Sequence, residues 1–150
     1  MNHFSVKVLL FVSFLSCERE VKYDDSNLIN FLSEEFGFSP QIEKNMIIIV
    51  LQNEECICTD ENIKFAIDIL NSKKYSTFNK VLILKSNRHK ILTDTRFNSE
   101  EVIVFVNSES KLEKYGLYLA TDRLFLYVKD SLTSYDLHVE KPKNVRGKVL

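Results

Sequence analysis

The chain has 150 residues, 45% of them hydrophobic and 27% charged, with 20 Lys+Arg against 21 Asp+Glu and a formal net charge of -1. The length fits one domain of roughly 100–200 residues and argues against a two-domain enzyme. The balanced charge argues against a domain that binds nucleic-acid phosphates, and the apolar content against disorder. Three cysteines are too few for a disulfide-built scaffold, and none has zinc-finger spacing.

The N-terminus reads as an address. Met1–Lys7 carries His3 and Lys7 and no acid, and Val8–Leu15 reads VLLFVSFL. Such a run suits the apolar core of a secretory signal and is too short for a bilayer span, which needs about 20 residues. Phe14-Leu15-Ser16-Cys17 follows, and the chain turns polar at Glu18-Arg19-Glu20. With small Ser16 before Cys17, this resembles the lipobox of bacterial lipoproteins. Phe14 stands where that family usually has Leu, and Leu15 where it prefers a smaller residue. The resemblance implies a lipoprotein signal peptide over 1–16 and lipid attachment at Cys17. It implies a domain held on a membrane of the bacterial cell envelope, on the periplasmic or outer-membrane side, where disulfides persist. The same run also reads as a buried N-terminal strand with Cys17 packed inside. Residues 17–27 read as a polar tether.

The next elements alternate. Asp25 or Ser26 can cap a helix to about Phe36, stopped by Gly37. Met46–Leu51, MIIIVL, is a continuous apolar run that suits a strand covered on both faces. Glu54-Glu55-Cys56-Ile57-Cys58 reads as a loop, and Thr59 as the N-cap of a helix to about Ser72, with Asp60 and Glu61 in the first turn. Val81–Leu84 is a second strand and Ser86–Leu92 a short helix in a solvated Asn-Arg-His-Lys turn. Val102–Val106 is a third strand and Ser108–Tyr115 a short helix ending at Gly116. Leu124–Val128 is a fourth strand, and Lys129-Asp130-Ser131 a turn into a fifth, Ser134–Val139, antiparallel to the fourth. Residues 141–150 read as a flexible basic tail. The expected fold class is α/β, with a central mixed sheet and flanking helices over 28–140.

The cysteine pair falls between an inner strand and a helix start, where backbone N–H groups and the helix dipole stabilise a thiolate. Met46–Leu70 resembles the segment of thioredoxin-like proteins that delivers a C-x-x-C motif to a helix N-terminus. Lys114-Tyr115-Gly116-Leu117 and the later LFLYV resemble the stretch in which K-Y-G-[IV] precedes a cis-proline and a strand. The insertion Asn87–Val106 resembles that of membrane-tethered thiol–disulfide oxidoreductases and peroxiredoxins. This resemblance covers about Asn45–Val139 and implies a thioredoxin-like fold. It implies Cys56 as nucleophile, Cys58 as its neighbour, Thr121 and Asp122 as the substrate loop, and a protein thiol or disulfide as partner. The chain departs from the family at two points: one residue separates the cysteines, and Asp122 stands where the family has its proline.

Three readings of the cysteines stay open. In one, Cys56 attacks a disulfide and Cys58 resolves it through a strained, readily reduced ring, against the opposition of Glu54 and Glu55. In another, the fold is kept without the chemistry, and the protein is a redox-degenerate binding or accessory module. In the third, the two thiolates recruit His89 or His138 around a soft metal. Nothing in the sequence brings either histidine to the pair, so the expectation is no metal, no cofactor and no nucleic-acid partner. No nucleophile-elbow, zinc-protease or Gly-rich phosphate motif is present.

Overall fold

The computed structural model describes residues 25–37, 45–52, 59–107, 111–117, 121–129, 131–140 and 142–149. Its architecture is α/β: a five-stranded mixed sheet with helices on both faces.

Helix α1, Asp25–Phe36, buries Leu28, Phe31 and Leu32 and exposes Ser33, Glu34 and Glu35. The spacing of the buried three puts them on one face. Gly37 ends the helix at φ +68°, donating its N–H to the Ser33 carbonyl at 2.9 Å, a left-handed conformation that costs glycine little.

Strand β1, Asn45–Leu51, is the centre of the sheet. Ile47, Ile49 and Leu51 enter one core layer, and Met46, Ile48 and Val50 enter the other. An alternating polar residue would have no solvent to face, which explains the uninterrupted apolar run. Helix α2, Thr59–Leu70, crosses over to β2, Asn79–Leu84, which pairs parallel to β1 with Ile48 opposite Val81. Edge strand β3, Ile103–Val106, runs parallel to β2.

After the short helix α3, Lys111–Lys114, strand β4, Arg123–Val128, inserts on the other side of β1 and antiparallel to it. Strand β5, Ser131–Asp136, pairs back onto β4. The order across the sheet is β3-β2-β1-β4-β5. The fifth strand was expected at Ser134–Val139. It starts earlier because Lys129, at φ +48°, makes a tight reversal that pairs Ser131 with Val128.

The expected flexible tail is instead helix α4, Pro142–Val149. Proline suits the first helical position, since its missing N–H has no partner there. Val145 and Val149, one turn apart, are both buried in the α2 side of the core. Tyr75 Oη donates to the Val149 carbonyl, Lys74 Nζ donates to the same oxygen at 2.8 Å, and Arg146 pairs with Asp68 of α2. Burial, and then the nearby Tyr135, push the Tyr75 hydroxyl above its ordinary range and keep it a donor.

The expected helix at Ser86–Leu92 reduces to a 3₁₀ turn over Lys90–Thr93. His89, expected in a solvated turn, is buried at 2% exposure, and its Nδ1 accepts the Ile91 N–H at 3.4 Å. The correction has a local cause: the imidazole serves as the cap of that turn, which draws it inside.

Candidate functional site

The polar centre of the molecule lies where β1 ends and α2 begins. The register that sets Val50 opposite Arg123 carries Asp122 to the end of β1. Asp122 is fully buried at 0% exposure. Its Oδ1 accepts the Gln52 N–H at 2.8 Å, and its Oδ2 accepts Asn62 Nδ2 at 2.6 Å. Its carbonyl accepts the Leu137 N–H at 2.9 Å. One residue thus joins β1, the first turn of α2 and the end of β5. A buried carboxylate is costly unless its oxygens are matched by donors, and these are.

A second carboxylate supports the first. Asp136 Oδ2 accepts the Thr121 hydroxyl at 2.9 Å and pairs with Arg123 at 2.8 Å. Its Oδ1 accepts the N–H groups of His138, at 2.9 Å, and Val139, at 3.3 Å. Both residues flanking Asp122 are therefore tied to Asp136. At the start of α2, Thr59 is buried while Asp60 and Glu61 face solvent in the first turn, where the helix dipole favours acids.

Cys56 and Cys58 fall between Gln52 and Thr59, outside the described residues, as does Cys17. What is described is the pair of stems on either side of the two cysteines, held by the same carboxylate. Thr121 and Asp122 meet these stems, with Thr121 half-buried and the Asp122 side chain directed into the protein. The Thr121–Asp122 peptide is trans. His138 lies exposed in the turn after β5 rather than on a strand, and His89 caps its own turn on another part of the chain. Among the described residues no group of three or more His, Cys, Asp or Glu could hold a metal ion.

Three members of this centre, Asn62, Arg123 and Asp136, were not singled out from the sequence. Asn62 carried a faint signal. It sits one position before Ile63 and four before Ala66, on the apolar stripe of α2, where a solvated asparagine has no place.

Beside the first turns of α2 lies an open groove of about 340 Å³ lined by Asp60, Ile63, Lys64, Lys90, Thr93, Asp94 and Arg96. Its charges are largely matched: Arg96 grips Asp94 through bonds of 2.9 and 2.6 Å, and Lys90 lies 3.7 Å from Asp60. An apolar crevice between α1 and the sheet admits only about 10 Å³, too little for more than one water. Among the described residues no helix is long and apolar enough to cross a membrane. Compared with known proteins, the chain matches no family model and no curated protein at a significant level.

Proposed function

We propose that the domain is thioredoxin-like and carries out thiol–disulfide exchange through Cys56 and Cys58, on a bacterial envelope membrane to which lipid on Cys17 anchors it. The observation that carries this reading is the shared anchorage of Gln52 and Asn62 on Asp122, which brackets the cysteine segment between an inner strand and a helix N-terminus. Support also comes from the neighbour order β2-β1-β4-β5, with β2 parallel and β4 antiparallel to β1 and helices on both faces.

The chemistry follows from placement. The twelve-residue helix α2 directs its positive dipole end toward the preceding segment, which favours a thiolate there. Cys56 as thiolate attacks one sulfur of a partner disulfide. A mixed disulfide forms, and the leaving sulfur departs as a thiolate that takes a proton from solvent. Cys58, deprotonated, then attacks the Cys56 sulfur and releases the second partner thiol. Two electrons pass from the dithiol to the partner, and a Cys56–Cys58 disulfide remains. A ring closed by residues i and i+2 is strained, so these steps run more readily in reverse, with the Cys56–Cys58 disulfide taking two electrons from partner thiols and leaving them as a disulfide, or stop at the mixed disulfide and isomerise the partner's disulfides.

The test is disulfide exchange by the full chain, with Cys56→Ser and Cys58→Ser as comparisons. Turnover lost in Cys56→Ser supports the reading; equal rates in all three chains sink it. The anchor is tested separately by Cys17→Ala, which should leave an unprocessed or soluble product without lipid label. A second reading, a non-enzymatic accessory module on the same membrane, is favoured by one feature. Asp122 turns its side chain inward at the position where the resemblance places a substrate-facing proline. Equal exchange rates in the three chains point to it.

A further inference from the structure

We infer that the outer edge of β3 is a homodimer interface. Two copies pair Val102–Val106 antiparallel about a two-fold axis at Val104, and their five-stranded sheets join into one.

Strand β3 pairs with β2 on one side, and among the described residues no strand pairs with its other side. One bond fixes which backbone groups face outward. The Asn107 N–H donates to the Leu84 carbonyl at 2.7 Å. In a parallel ladder a residue turns its N–H and C=O to the same neighbour, and the next residue turns both away. Phe105 and Ile103 therefore face β2, while Val104 and Val106 present both groups at the open edge. Val102 is extended as well, at φ −128° and ψ 125°. Its N–H goes to the Ser99 carbonyl at 3.3 Å, which leaves its own carbonyl for the edge. The strand reads IVFV, with neither the charge nor the proline that usually blunts a free edge. The opposite edge, β5, reads SLTSYD and is polar.

Self-pairing follows from the register and the charges. With Val104 opposite the partner's Val104, each donates its N–H to the other's carbonyl. Val106 donates to the partner's Val102 carbonyl, and the reverse bond follows by symmetry. Ile103 then lies opposite the partner's Phe105 on the α1 face of the sheet. Ile103 is 43% exposed, the most exposed residue of the strand. Phe105 is a fixed surface for it, packed edge-on against Phe31 at 5.3 Å and Phe36 at 5.2 Å. Such aromatic and β-branched cross-strand pairs stabilise antiparallel ladders. Exposed Glu100 and Glu101 stand at the N-terminal end of β3, and only Glu101 has Lys80 beside it, at 3.3 Å. The C-terminal end carries Lys85, one residue past the partner of Val106 in β2, and Lys111, whose ammonium lies 5.8 Å from the Phe105 ring. Glu113 and Lys114 of α3 cancel each other. Antiparallel pairing sets the acidic end of each copy against the basic end of the other; parallel pairing would oppose like charges. This complementarity is what selects a second copy as the occupant.

The experiment is sedimentation equilibrium of the full chain in density-matched detergent with reductant present, together with amide hydrogen exchange on the same samples. A dimer is expected, with a dissociation constant on the order of 10 μM for so small an interface. The Val104 and Val106 amides should exchange about tenfold more slowly in the dimer than in the dilute monomer, with Phe105 protected in both. Val104→Pro removes an N–H that β2 does not use and should raise the dissociation constant by about tenfold or more, because an edge strand tolerates proline while the ladder across the axis does not. Ile103→Lys, at an exposed position facing the partner's Phe105 and its lysine, should do the same. A monomer at every concentration overturns the inference, as does a dimer that neither variant weakens. Val104 and Val106 amides already protected in the monomer also overturn it, since a segment of the same chain then covers the edge. Should Val104→Pro fail to fold, Ile103→Lys decides: an unchanged dissociation constant overturns the interface, and a raised one supports it.

Discussion

Asn62 and Asp122 stand 60 positions apart in the chain, yet Asn62 Nδ2 donates to Asp122 Oδ2 at 2.6 Å in a buried site. The contact joins the first turn of α2 to the lead-in of β4. It makes the helix start and the antiparallel half of the sheet one mechanical unit.

Removing either partner leaves the other buried and short of a bond. Asn62→Ala is expected to lower stability by about 2 kcal/mol and Asp122→Ala by about 3 kcal/mol, since hydrogen bonds to charged groups exceed neutral ones. In a double-mutant cycle read by urea unfolding, the two changes should be non-additive by about 1–3 kcal/mol. Strict additivity would mean that the contact contributes nothing.

Helix α4 is expected to be integral to the fold. Val145→Ala, at a fully buried site, should cost about 1–3 kcal/mol. Tyr75→Phe removes only the hydroxyl that reaches the Val149 carbonyl and should cost about 1 kcal/mol. Thermal unfolding measures both. A Val145→Ala chain as stable as the natural one would mean that α4 does not pack on α2.

The Asp94 carboxyl is held down at about 2, chiefly by the side-chain hydrogen bonds from Arg96 and then by the Arg96 N–H. A depressed value means that the stabilising contribution is present above the ordinary carboxylate range and is lost as pH falls toward about 2. Both side chains lie at the surface, so the effect on global stability is small. Carboxyl carbon NMR should show the Asp94 midpoint at about 2, and Arg96→Gln should return it toward about 4. An unchanged midpoint in Arg96→Gln would show that the guanidinium is not the cause.

The Tyr115 hydroxyl is pushed up to about 12 by desolvation, and then by hydrogen bonds to Glu34 and Glu35 of α1. The raised value keeps the phenol neutral in the folded chain at a pH where the unfolded chain ionises, near 10. Its contribution is therefore intact below about 10 and lost as pH rises toward about 12. Ring-carbon NMR should show the Tyr115 midpoint at about 12, and Glu35→Gln should lower it. No change on that substitution would separate Tyr115 from α1.

Much of the fold was legible because its signals are local. An unbroken apolar run such as Met46–Leu51 has one good use in a chain of this size, a strand covered on both faces. The acids after Thr59 and the stripe Ile63, Ala66, Ile67 and Leu70 fix a helix start and its buried side. Helix α4 was hidden because Pro142, Gly147 and the basic residues look like a frayed end. Only the pocket between α2 and Tyr75 gives Val145 and Val149 something to bury against. His89 was misplaced for a similar reason: its polar neighbours argue for solvent, while its cap bond draws it inside.

Sequence alone determined that this is an α/β domain and that a cysteine pair lies between its central strand and the following helix. Hydrophobic periodicity and helix-start chemistry act over a few residues, so they can be read in order along the chain. Asp122 was noticed there as a residue standing where a proline was expected. Only the tertiary structure decided what it does. The antiparallel return of β4 beside β1 brings it to Gln52 and Asn62, 70 and 60 positions away. Hydrogen-bond partners of that separation are chosen by strand register, which no local pattern records.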